Sequence, residues 1–252
     1  MAGEYKNFLG QFHRDGGLPA IEKENGFKAW YINGQLHREN NGIPPIINPQ
    51  GPAVEYANGD KWWYKYGQLH RDNGLPAIEY ADGSKMWWVN GRRHRDGGLP
   101  AIEWDNGTKL WFVDGERHRD GGLPAVVREN GDQEWWVNNK LHRDGGLPAI
   151  ELKNGDKEWW VNGHNHREGG LPAIERENGE NEWWLNGKEL SCEENIAYTS
   201  FCQRMREKRL VKAQKKLYFW WIQICYDMEH KSGCGQRMAQ KNLEVFQSMM
   251  SV

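Results

Sequence analysis

The chain has 252 residues and a formal net charge of −2, and its 30 glycines and 15 tryptophans are both well above ordinary usage. It has no run of about 18 apolar residues, and its first residues show no basic start followed by an apolar stretch, so neither a membrane-spanning helix nor a secretory signal is expected. The four cysteines lie in the last quarter without CxxC spacing, which favours free thiols in a reducing compartment.

A His-Arg pair recurs through the chain at a nearly fixed interval, with the histidine at positions 13, 37, 70, 94, 118, 142 and 166. The interval is 24 residues except between His37 and His70, where nine further residues, Ile43 to Gly51, read IPPIINPQG. A strict period of this size indicates a repeat architecture. We therefore predict seven repeats, with residues 43–51 as a loop inserted into one of them.

One repeat, Leu75 to Gly98, reads LPAIEYADGSKMWWVNGRRHRDGG. The Asp-Gly and Asn-Gly pairs are hairpin-turn signals, and DGGL marks a third break. Between the breaks lie PAIEY, KMWWV and RRHR, each about the usual length of a strand. The pattern predicts a mainly β fold in which seven antiparallel β-hairpin or meander repeats of 24 residues stack into an elongated sheet or solenoid.

Two aromatic residues stand side by side in every repeat. We assign the first to Trp30, Trp62, Trp87, Trp111, Trp135, Trp159 and Trp183. We assign the second to Tyr31, Trp63, Trp88, Phe112, Trp136, Trp160 and Trp184. Because side chains alternate across a strand, the first column is expected on the inner face and the second on the other face. The second column either packs as cover for a thin sheet or forms an exposed groove that binds a partner.

The pattern DG-x-K-x-W-W-V-NG-x-x-HRDGGLPA, over about residues 11–189, resembles the MORN repeat, in which an aromatic residue, an Asn-Gly turn, a histidine and a glycine recur. The resemblance implies stacked antiparallel hairpins and an interaction or scaffold role. The chain departs from that family in having arginine after the histidine, a doubled aromatic and the strand LPAIE.

The recurring His, Arg and Asp side chains suggest catalysis or metal binding, but neighbouring repeats are too far apart to share one ion through their histidines. We expect these residues to close the HRDGG turn by hydrogen bonds. Glutamates in PAIE are expected to pair with the arginines, and they are Glu22, Glu55, Glu79, Glu103, Glu151 and Glu175. The sequence contains no GxxxxGK[ST], GxSxG or HExxH motif. We therefore expect that the protein is not an enzyme and that it has no catalytic residue, no cofactor and no metal site.

The composition changes where the repeats end. Residues 1–189 carry 23 Lys and Arg against 29 Asp and Glu, whereas residues 190–252 carry 10 against 6. This predicts a β-repeat domain over 1–189 and an α-helical domain over 190–252. Ser191 and Glu194 fit a capping box, an apolar stripe follows, Gly233 provides a stop, and residues 236–250 suggest a second helix. A small α-helical hairpin is the expected form.

Seven basic residues and one acidic residue, Glu207, lie in the first predicted helix between Arg204 and Lys216. The basic set is Arg204, Arg206, Lys208, Arg209, Lys212, Lys215 and Lys216. They form either a solvated helix face, a contact with an acidic protein partner such as the repeat domain itself, or a site for nucleic acid or anionic lipid. The last is the least favoured because the whole chain is not basic.

The segment LYFWWIQICYDMEHKSGCGQRMAQKNLEVF resembles a C-terminal segment found in many proteins of the giant, nucleocytoplasmic large DNA viruses. The matching residues are Trp220, Trp221, Tyr226, Asp227, Cys234, Gln240 and Asn242, while Met228 replaces a proline. The resemblance points to a giant-virus origin more than to an activity. A rigid rod of repeats with a helical end suits bridging between larger subunits, so we expect a structural or interaction protein of a giant virus, such as a minor capsid component. It would be found in the virion and, during assembly, in the host cytoplasm. Its partners would be virion proteins or further copies of itself. The alternative is an intracellular module that binds host proteins or membranes.

Overall fold

A computed structural model describes residues 2–38 and 51–232. For residues 218–219 and 221–232 it describes the backbone only. The chain divides into two compact units, Met1–Leu190 and Ser191–Val252. The first unit is built from short strands and tight turns, and the described part of the second is one helix.

Every strand of the first unit is two residues long. The strands of the first half are β1 (Gly3–Glu4), β2 (Ile21–Glu22), β3 (Lys28–Ala29), β4 (Tyr31–Ile32), β5 (Gln35–Leu36), β6 (Val54–Glu55), β7 (Lys61–Trp62), β8 (Tyr64–Lys65), β9 (Gln68–Leu69), β10 (Ile78–Glu79), β11 (Lys85–Met86), β12 (Trp88–Val89) and β13 (Arg92–Arg93). Those of the second half are β14 (Ile102–Glu103), β15 (Lys109–Leu110), β16 (Phe112–Val113), β17 (Glu116–Arg117), β18 (Val126–Val127), β19 (Gln133–Glu134), β20 (Trp136–Val137), β21 (Lys140–Leu141), β22 (Ile150–Glu151), β23 (Lys157–Glu158), β24 (Trp160–Val161), β25 (His164–Asn165), β26 (Ile174–Glu175), β27 (Trp184–Leu185) and β28 (Lys188–Glu189).

These strands confirm the predicted fold of antiparallel hairpin repeats. Fourteen of them form one sheet in the order β1-β2-β3-β6-β7-β10-β11-β14-β15-β18-β19-β22-β23-β26. Each repeat adds its first two strands to this sheet and folds its next two into a separate hairpin, such as β16 with β17. In the long sheet Ile102 lies opposite Met86 on one side and Leu110 on the other. Aliphatic side chains therefore line up across successive repeats.

The core is a set of columns, each formed by one residue from every repeat. A central cluster contains Ile78, Met86, Trp87, Ala101, Ile102 and Phe112. The alanine that follows proline in each repeat is fully buried, as at Ala101 and Ala125. Its backbone groups also bond on both sides, since the N–H of Ala101 donates to the carbonyl of Leu110 and its carbonyl accepts from Trp87. A larger side chain would therefore push apart strands that are already bonded.

The two neighbouring aromatic residues do not lie on one continuous strand, and the expectation of strands about five residues long is wrong. Trp111 stands between β15 and β16, where its N–H donates to the carbonyl of Ala125 and its own carbonyl accepts from the N–H of His118. The chain leaves the long sheet at this residue and enters the side hairpin. The physical reason is the second Asn-Gly-type turn, which is close enough to form its own hairpin, with positive φ at both Asp114 and Gly115.

The repeat pattern begins earlier than the sequence suggests. Tyr5 takes the place of the first tryptophan, because its N–H donates to Ala20 and its carbonyl accepts from His13, as Trp30 does with Ala53 and His37. The Arg14 guanidinium lies 3.7 Å from the centre of the Tyr5 ring. Residues 3–17 therefore form a half-repeat. At the other end the N–H of Leu190 donates to Trp183, in the position that histidine holds elsewhere.

The predicted insertion at residues 43–51 lies outside the described residues except for Gly51, and the residues on both sides of it make the bonds of a regular repeat. Arg38 donates to the carbonyl of Pro52 at 3.2 Å and to Glu55 at 2.9 Å. In the next repeat Arg71 makes the same two bonds to Pro76 and Glu79. The nine extra residues therefore fall between the arginine and the proline in the sequence, and the flanking strands β3 and β6 still pair.

The second unit contains α1 (Cys192–Ser232), a helix of 41 residues. Its predicted capping box is confirmed: the N–H of Ser191 donates to Glu194 Oε2 at 3.0 Å, and the N–H of Glu194 donates to Ser191 Oγ at 3.3 Å. The predicted helix over 236–250 lies outside the described residues, so the helical hairpin stays a prediction. No helix in the described part of the chain is long and apolar enough to cross a membrane.

Candidate interaction surface

The first aromatic column is buried in the central repeats, as expected, whereas Trp183 in the last repeat is half-buried. Trp135 is 5% exposed, and its Nε1–H donates to the carbonyl of Gly122 at 2.9 Å. The Arg143 guanidinium lies over its ring, 3.6 Å from the ring centre. The polar edge and one face of the indole are therefore both occupied, which is the arrangement a buried tryptophan requires.

The assignment of Trp62 and Trp63 to the two columns is wrong by one residue. Trp63, which we assigned to the partner-binding column, is 5% exposed and lies under Arg71 at 3.7 Å, as the first tryptophan does elsewhere. Trp62 instead belongs to β7 in the long sheet, opposite Val54 and Ile78. Tyr64 occupies the second column in that repeat. The cause is a run of three aromatic residues, in which the distance to His70 identifies the correct one.

The second aromatic column is packed rather than openly exposed. Phe112 is buried, and the others, Tyr31, Tyr64, Trp88, Trp136, Trp160 and Trp184, are half-buried. The Arg117 guanidinium lies between two of these rings, 5.8 Å from the centre of Phe112 and 4.3 Å from that of Trp136. Burial lowers the pKa of Arg117. These contacts favour packing over a partner groove for this column.

The hydrogen bonding of the second aromatic column differs between the early and the late repeats. Glu134 accepts a hydrogen bond from Trp136 Nε1 at 2.8 Å, and Glu158 and Glu182 hold Trp160 and Trp184 in the same way. Earlier repeats have Trp62, Met86 and Leu110 in the place of these glutamates. Glu134 also pairs with Arg128. The last three repeats therefore bond their second tryptophan within the repeat.

The histidines connect each repeat to the next. The N–H at the start of each side-hairpin turn donates to the histidine Nδ1 of the preceding repeat, at 3.1–3.5 Å, in seven places. In five of the turns the histidine Nε2 lies 2.9–3.1 Å from an aspartate two residues later. An Nδ1 that accepts and an Nε2 that faces a carboxylate define the neutral Nε2–H tautomer. Both ring nitrogens are therefore used in structural contacts.

The arginine of each turn closes the turn and pairs with glutamate, as expected. Arg143 donates to the carbonyl of Pro148 at 3.1 Å and to Glu151 at 2.7 Å. Arg38, Arg71, Arg95 and Arg167 make the equivalent pairs with Glu55, Glu79, Glu103 and Glu175. Two turns are exceptions. Glu22 pairs with Lys28 at 3.8 Å rather than with Arg14, so the expectation is wrong there. Val127 stands where the glutamate would face Arg119, and burial lowers the pKa of Arg119.

On the opposite edge of the sheet, a side chain from each of five successive Gly-containing turns, beginning with Asp60, accepts a hydrogen bond from the next turn. Asp132 accepts from the backbone N–H of Lys153 at 2.9 Å, and Asp156 accepts from Glu177 at 2.8 Å. Ser84 and Thr108 do the same with their hydroxyl oxygens. The backbone hydrogen bonds hold the pKa of both Asp132 and Asp156 below the usual range, with further help from Asn130 and Asn154.

Leucine from the HRDGGL turn is the large apolar side chain that recurs on the surface. Leu18, Leu75, Leu99, Leu123, Leu147 and Leu171 are 39–51% exposed, and we call them the leucine row. Sequence reasoning treated this position only as part of a turn. The signal present in the sequence was a leucine kept before every regular Pro-Ala, although a turn has no structural need for it.

Shallow depressions separate successive members of the leucine row. One is lined by Leu99, Leu123 and the side chain of Val113, which is 37% exposed, together with the two neighbouring His-Arg-Asp turns. A similar depression lies between Leu147 and Leu171. The aspartates beside the row are exposed, with side-chain values of 92%, 91% and 97% at Asp96, Asp120 and Asp144. The edge therefore presents apolar and acidic groups once per repeat.

The basic residues of α1 that were predicted to contact a partner are all exposed, from Arg204 to Lys216. Exposed apolar side chains, including Phe201, Leu210 and Leu217, lie on the same helix. Cys192 and Cys202 are free thiols. Among the side chains that the structure describes, no group of three or more His, Cys, Asp or Glu residues is arranged to hold a metal ion.

No protein-family model matches the chain, and no curated protein is significantly similar to it. The geometry of the repeats therefore provides the basis for a functional assignment.

Proposed function

We propose that the chain is a non-catalytic interaction protein whose leucine row binds other proteins. The observation behind this proposal is the contrast within each HRDGGL turn. The histidine, arginine and tryptophan are used in contacts that hold the repeats together, whereas the leucine stays about half exposed in six turns. A surface that repeats one exposed apolar group at a constant interval is typical of a binding face on a repeat protein.

We further propose that the protein is a minor structural component of a giant DNA virus particle, where it bridges larger subunits. This rests on the resemblance of the C-terminal segment to giant-virus proteins and on the repeated, multivalent form of the surface. Several weak sites on one array give strong binding to a partner that repeats at a compatible interval. A lattice of capsid subunits is a partner of that kind.

Quantitative mass spectrometry of purified particles tests this assignment. We expect a copy number that stands in a fixed ratio to the major capsid subunit. A variant with Leu99, Leu123 and Leu147 all changed to Ser should enter particles in reduced amount, whereas Trp104→Ser, an exposed apolar change outside the row, should enter normally. Absence of the wild-type chain from particles would refute the structural assignment.

The second candidate is a MORN-like module that acts on host proteins or anionic membrane surfaces. The exposed basic face of α1 between Arg204 and Lys216 favours it. Vesicles with and without phosphatidylserine separate the two assignments. The structural assignment predicts no selective sedimentation with anionic vesicles, and strong selective binding that is removed by changing Lys212, Lys215 and Lys216 to Gln would support the membrane module.

A further inference from the structure

The turns of this chain contain many Asn-Gly pairs, and one of them differs from the rest. Within the described residues there are eleven, with the asparagine at 25, 33, 58, 73, 90, 106, 130, 154, 162, 178 and 186. Asparagine before glycine is chemically labile, because glycine has no Cβ to hinder attack of its nitrogen on the asparagine side chain. The local structure decides which pairs can react.

Ten of the eleven pairs are held by a hydrogen bond from the glycine N–H. In the side hairpins the bond crosses to the preceding repeat, as from Gly91 to the carbonyl of Leu69 at 2.9 Å. In the turns of the long sheet it closes the turn, as from Gly107 to Trp104 at 3.0 Å. The asparagine side chain is also held there, since Asn106 Oδ1 accepts from the N–H of Thr108. Reaction at these pairs requires local opening first.

Asn73-Gly74 is the exception. It lies in the HRDNGL turn, where the other regular repeats have two glycines, and both residues are exposed. Among the described residues the N–H of Gly74 has no hydrogen-bond partner, and neither has the side chain of Asn73. A Cβ added at Gly74 would meet nothing within 4 Å, so the space around the reacting atoms is open.

We propose that Asn73 is a site of spontaneous, selective deamidation. The backbone nitrogen of Gly74 attacks Cγ of Asn73, the new N–Cγ bond closes a five-membered imide, and the Cγ–Nδ2 bond breaks to release ammonia. Water then opens the imide at either carbonyl, which gives aspartate or isoaspartate. The balance is one amide and one water converted to one carboxylate and one ammonium ion, with no oxidant or cofactor.

The change would alter the candidate interaction surface at one defined place. Asn73 stands between Asp72 and the leucine-row member Leu75, so its product adds a second carboxylate directly beside Asp72. The isoaspartate form also lengthens the backbone of this turn by one bond. The modification would therefore act as a slow, irreversible change in the charge of one site in an otherwise uniform row.

Incubation of the full chain in mildly alkaline buffer, followed by digestion and mass spectrometry of each Asn-Gly peptide, tests the proposal. We expect Asn73 to convert about tenfold or more faster than Asn90 or Asn106, because those pairs must first open a hydrogen-bonded turn. In urea, where all turns are open, the rates should become similar. Equal rates in the folded chain would refute the proposal.

Two matched variants locate the cause. Asn73→Gly restores the Gly-Gly turn of the other repeats and should abolish the fast conversion. Gly97→Asn places the same Asn-Gly pair in the next repeat, at a glycine with φ of 78° and no atom within 4 Å of an added Cβ. The introduced asparagine should convert at a rate close to that of Asn73. Slow conversion of that asparagine in the folded Gly97→Asn variant would show that the turn itself does not permit the attack.

Discussion

At the residue scale, the repeat uses polar side chains to satisfy backbone and ring groups that a two-residue strand leaves open. A histidine bonds to the next repeat, an arginine covers a tryptophan and binds a proline carbonyl, and a glutamate neutralises the arginine. Strands of two residues make few backbone hydrogen bonds to their neighbours. Side-chain hydrogen bonds therefore contribute a larger fraction of the bonds between repeats than is usual in a sheet. The repeated HRD sequence is explained by that need.

The two aromatic columns should differ in their contribution to stability. Trp135→Ala removes a buried indole, its bond to Gly122 and its contact with Arg143, and we expect a loss of about 3–5 kcal/mol in unfolding free energy. Trp136→Ala empties a half-buried site and should cost about 1–2 kcal/mol. Urea denaturation of both variants measures the difference. A larger loss for Trp136→Ala would mean that the two faces are reversed.

The turn at Arg119, where no glutamate is present to pair with the arginine, offers a stabilising change. Val127→Glu places a carboxylate where Glu103 and Glu151 stand in neighbouring repeats, within reach of Arg119. We expect a gain of about 0.5–1 kcal/mol in unfolding free energy, because the side chains are partly exposed. Glu151→Val is the reverse control and should lose a similar amount. Destabilisation by Val127→Glu would contradict this expectation and show that the folded chain is more stable with an apolar side chain beside Arg119.

Residue assignments could be predicted from the sequence where the periodicity was unambiguous and failed where it was not. Trp111, Trp135 and Trp159 were correctly placed in the inner column, because each precedes a histidine by seven residues. Trp63 was misplaced because Trp62 and Tyr64 flank it. The exposure of the leucine row could not be predicted, since an apolar side chain before Pro-Ala is equally compatible with a core position.

At the element scale, the turns of the long sheet and the turns of the side hairpins make different contacts. The turn at Ala81–Ser84 and its equivalents close the long sheet and bond to each other through Asp, Ser or Thr. The side-hairpin turns, with positive φ at residues such as Asn90 and Gly91, bond back to the preceding repeat. Both turn types were evident from their Asn-Gly and Asp-Gly pairs, whereas the bonds between turns were not, because they join residues about 21 positions apart.

The aspartates that bridge turns should make the array sensitive to acid. Because hydrogen bonds lower the pKa of Asp132 and Asp156 in the folded chain, their contribution is fully present above the ordinary aspartate value of about 4. It is lost as the pH falls through the lower, folded-state values. We expect urea midpoints to fall from about pH 5 downwards. The double variant Asp132→Asn and Asp156→Asn keeps an acceptor oxygen at each turn.

That double variant is the control for the acid effect. The double variant should lose less stability than the wild type over the same pH interval. A variant in which only Thr108 is changed should show the same dependence of the urea midpoint on pH as the wild type. An identical acid dependence in wild type and double variant would show that these two carboxylates do not contribute to it.

At the scale of the whole molecule, the repeat domain is an array in which each unit contacts mainly its neighbours. Hydrogen bonds along both edges and through the long sheet connect every described repeat to the next. The half-repeat at residues 3–17 and the replacement of histidine by Leu190 mark the two ends of the array. Such an architecture tolerates changes within one turn, provided the bonds on either side of it remain.

Deletion of Ile43 to Gly51 tests that tolerance. The deletion leaves four residues between Arg38 and Pro52, the number that Asp96 to Leu99 provide in a regular repeat. We expect thermal stability to be unchanged or raised, because a shorter loop costs less entropy to close. Thermal unfolding followed by circular dichroism measures it. Unfolding of the deletion variant would mean that the insertion packs against the sheet.

The seven His-Arg-Asp-type turns are structural connectors between repeats, because the histidine of each accepts a hydrogen bond from the next repeat. Nitrogen-15 NMR of the imidazole rings tests it most directly, at mildly alkaline pH where histidine is neutral. The structure predicts seven rings fixed as the Nε2–H tautomer with Nδ1 unprotonated, at His13, His37, His70, His94, His118, His142 and His166. Rings that average freely between tautomers, or that carry the proton on Nδ1, would contradict the account.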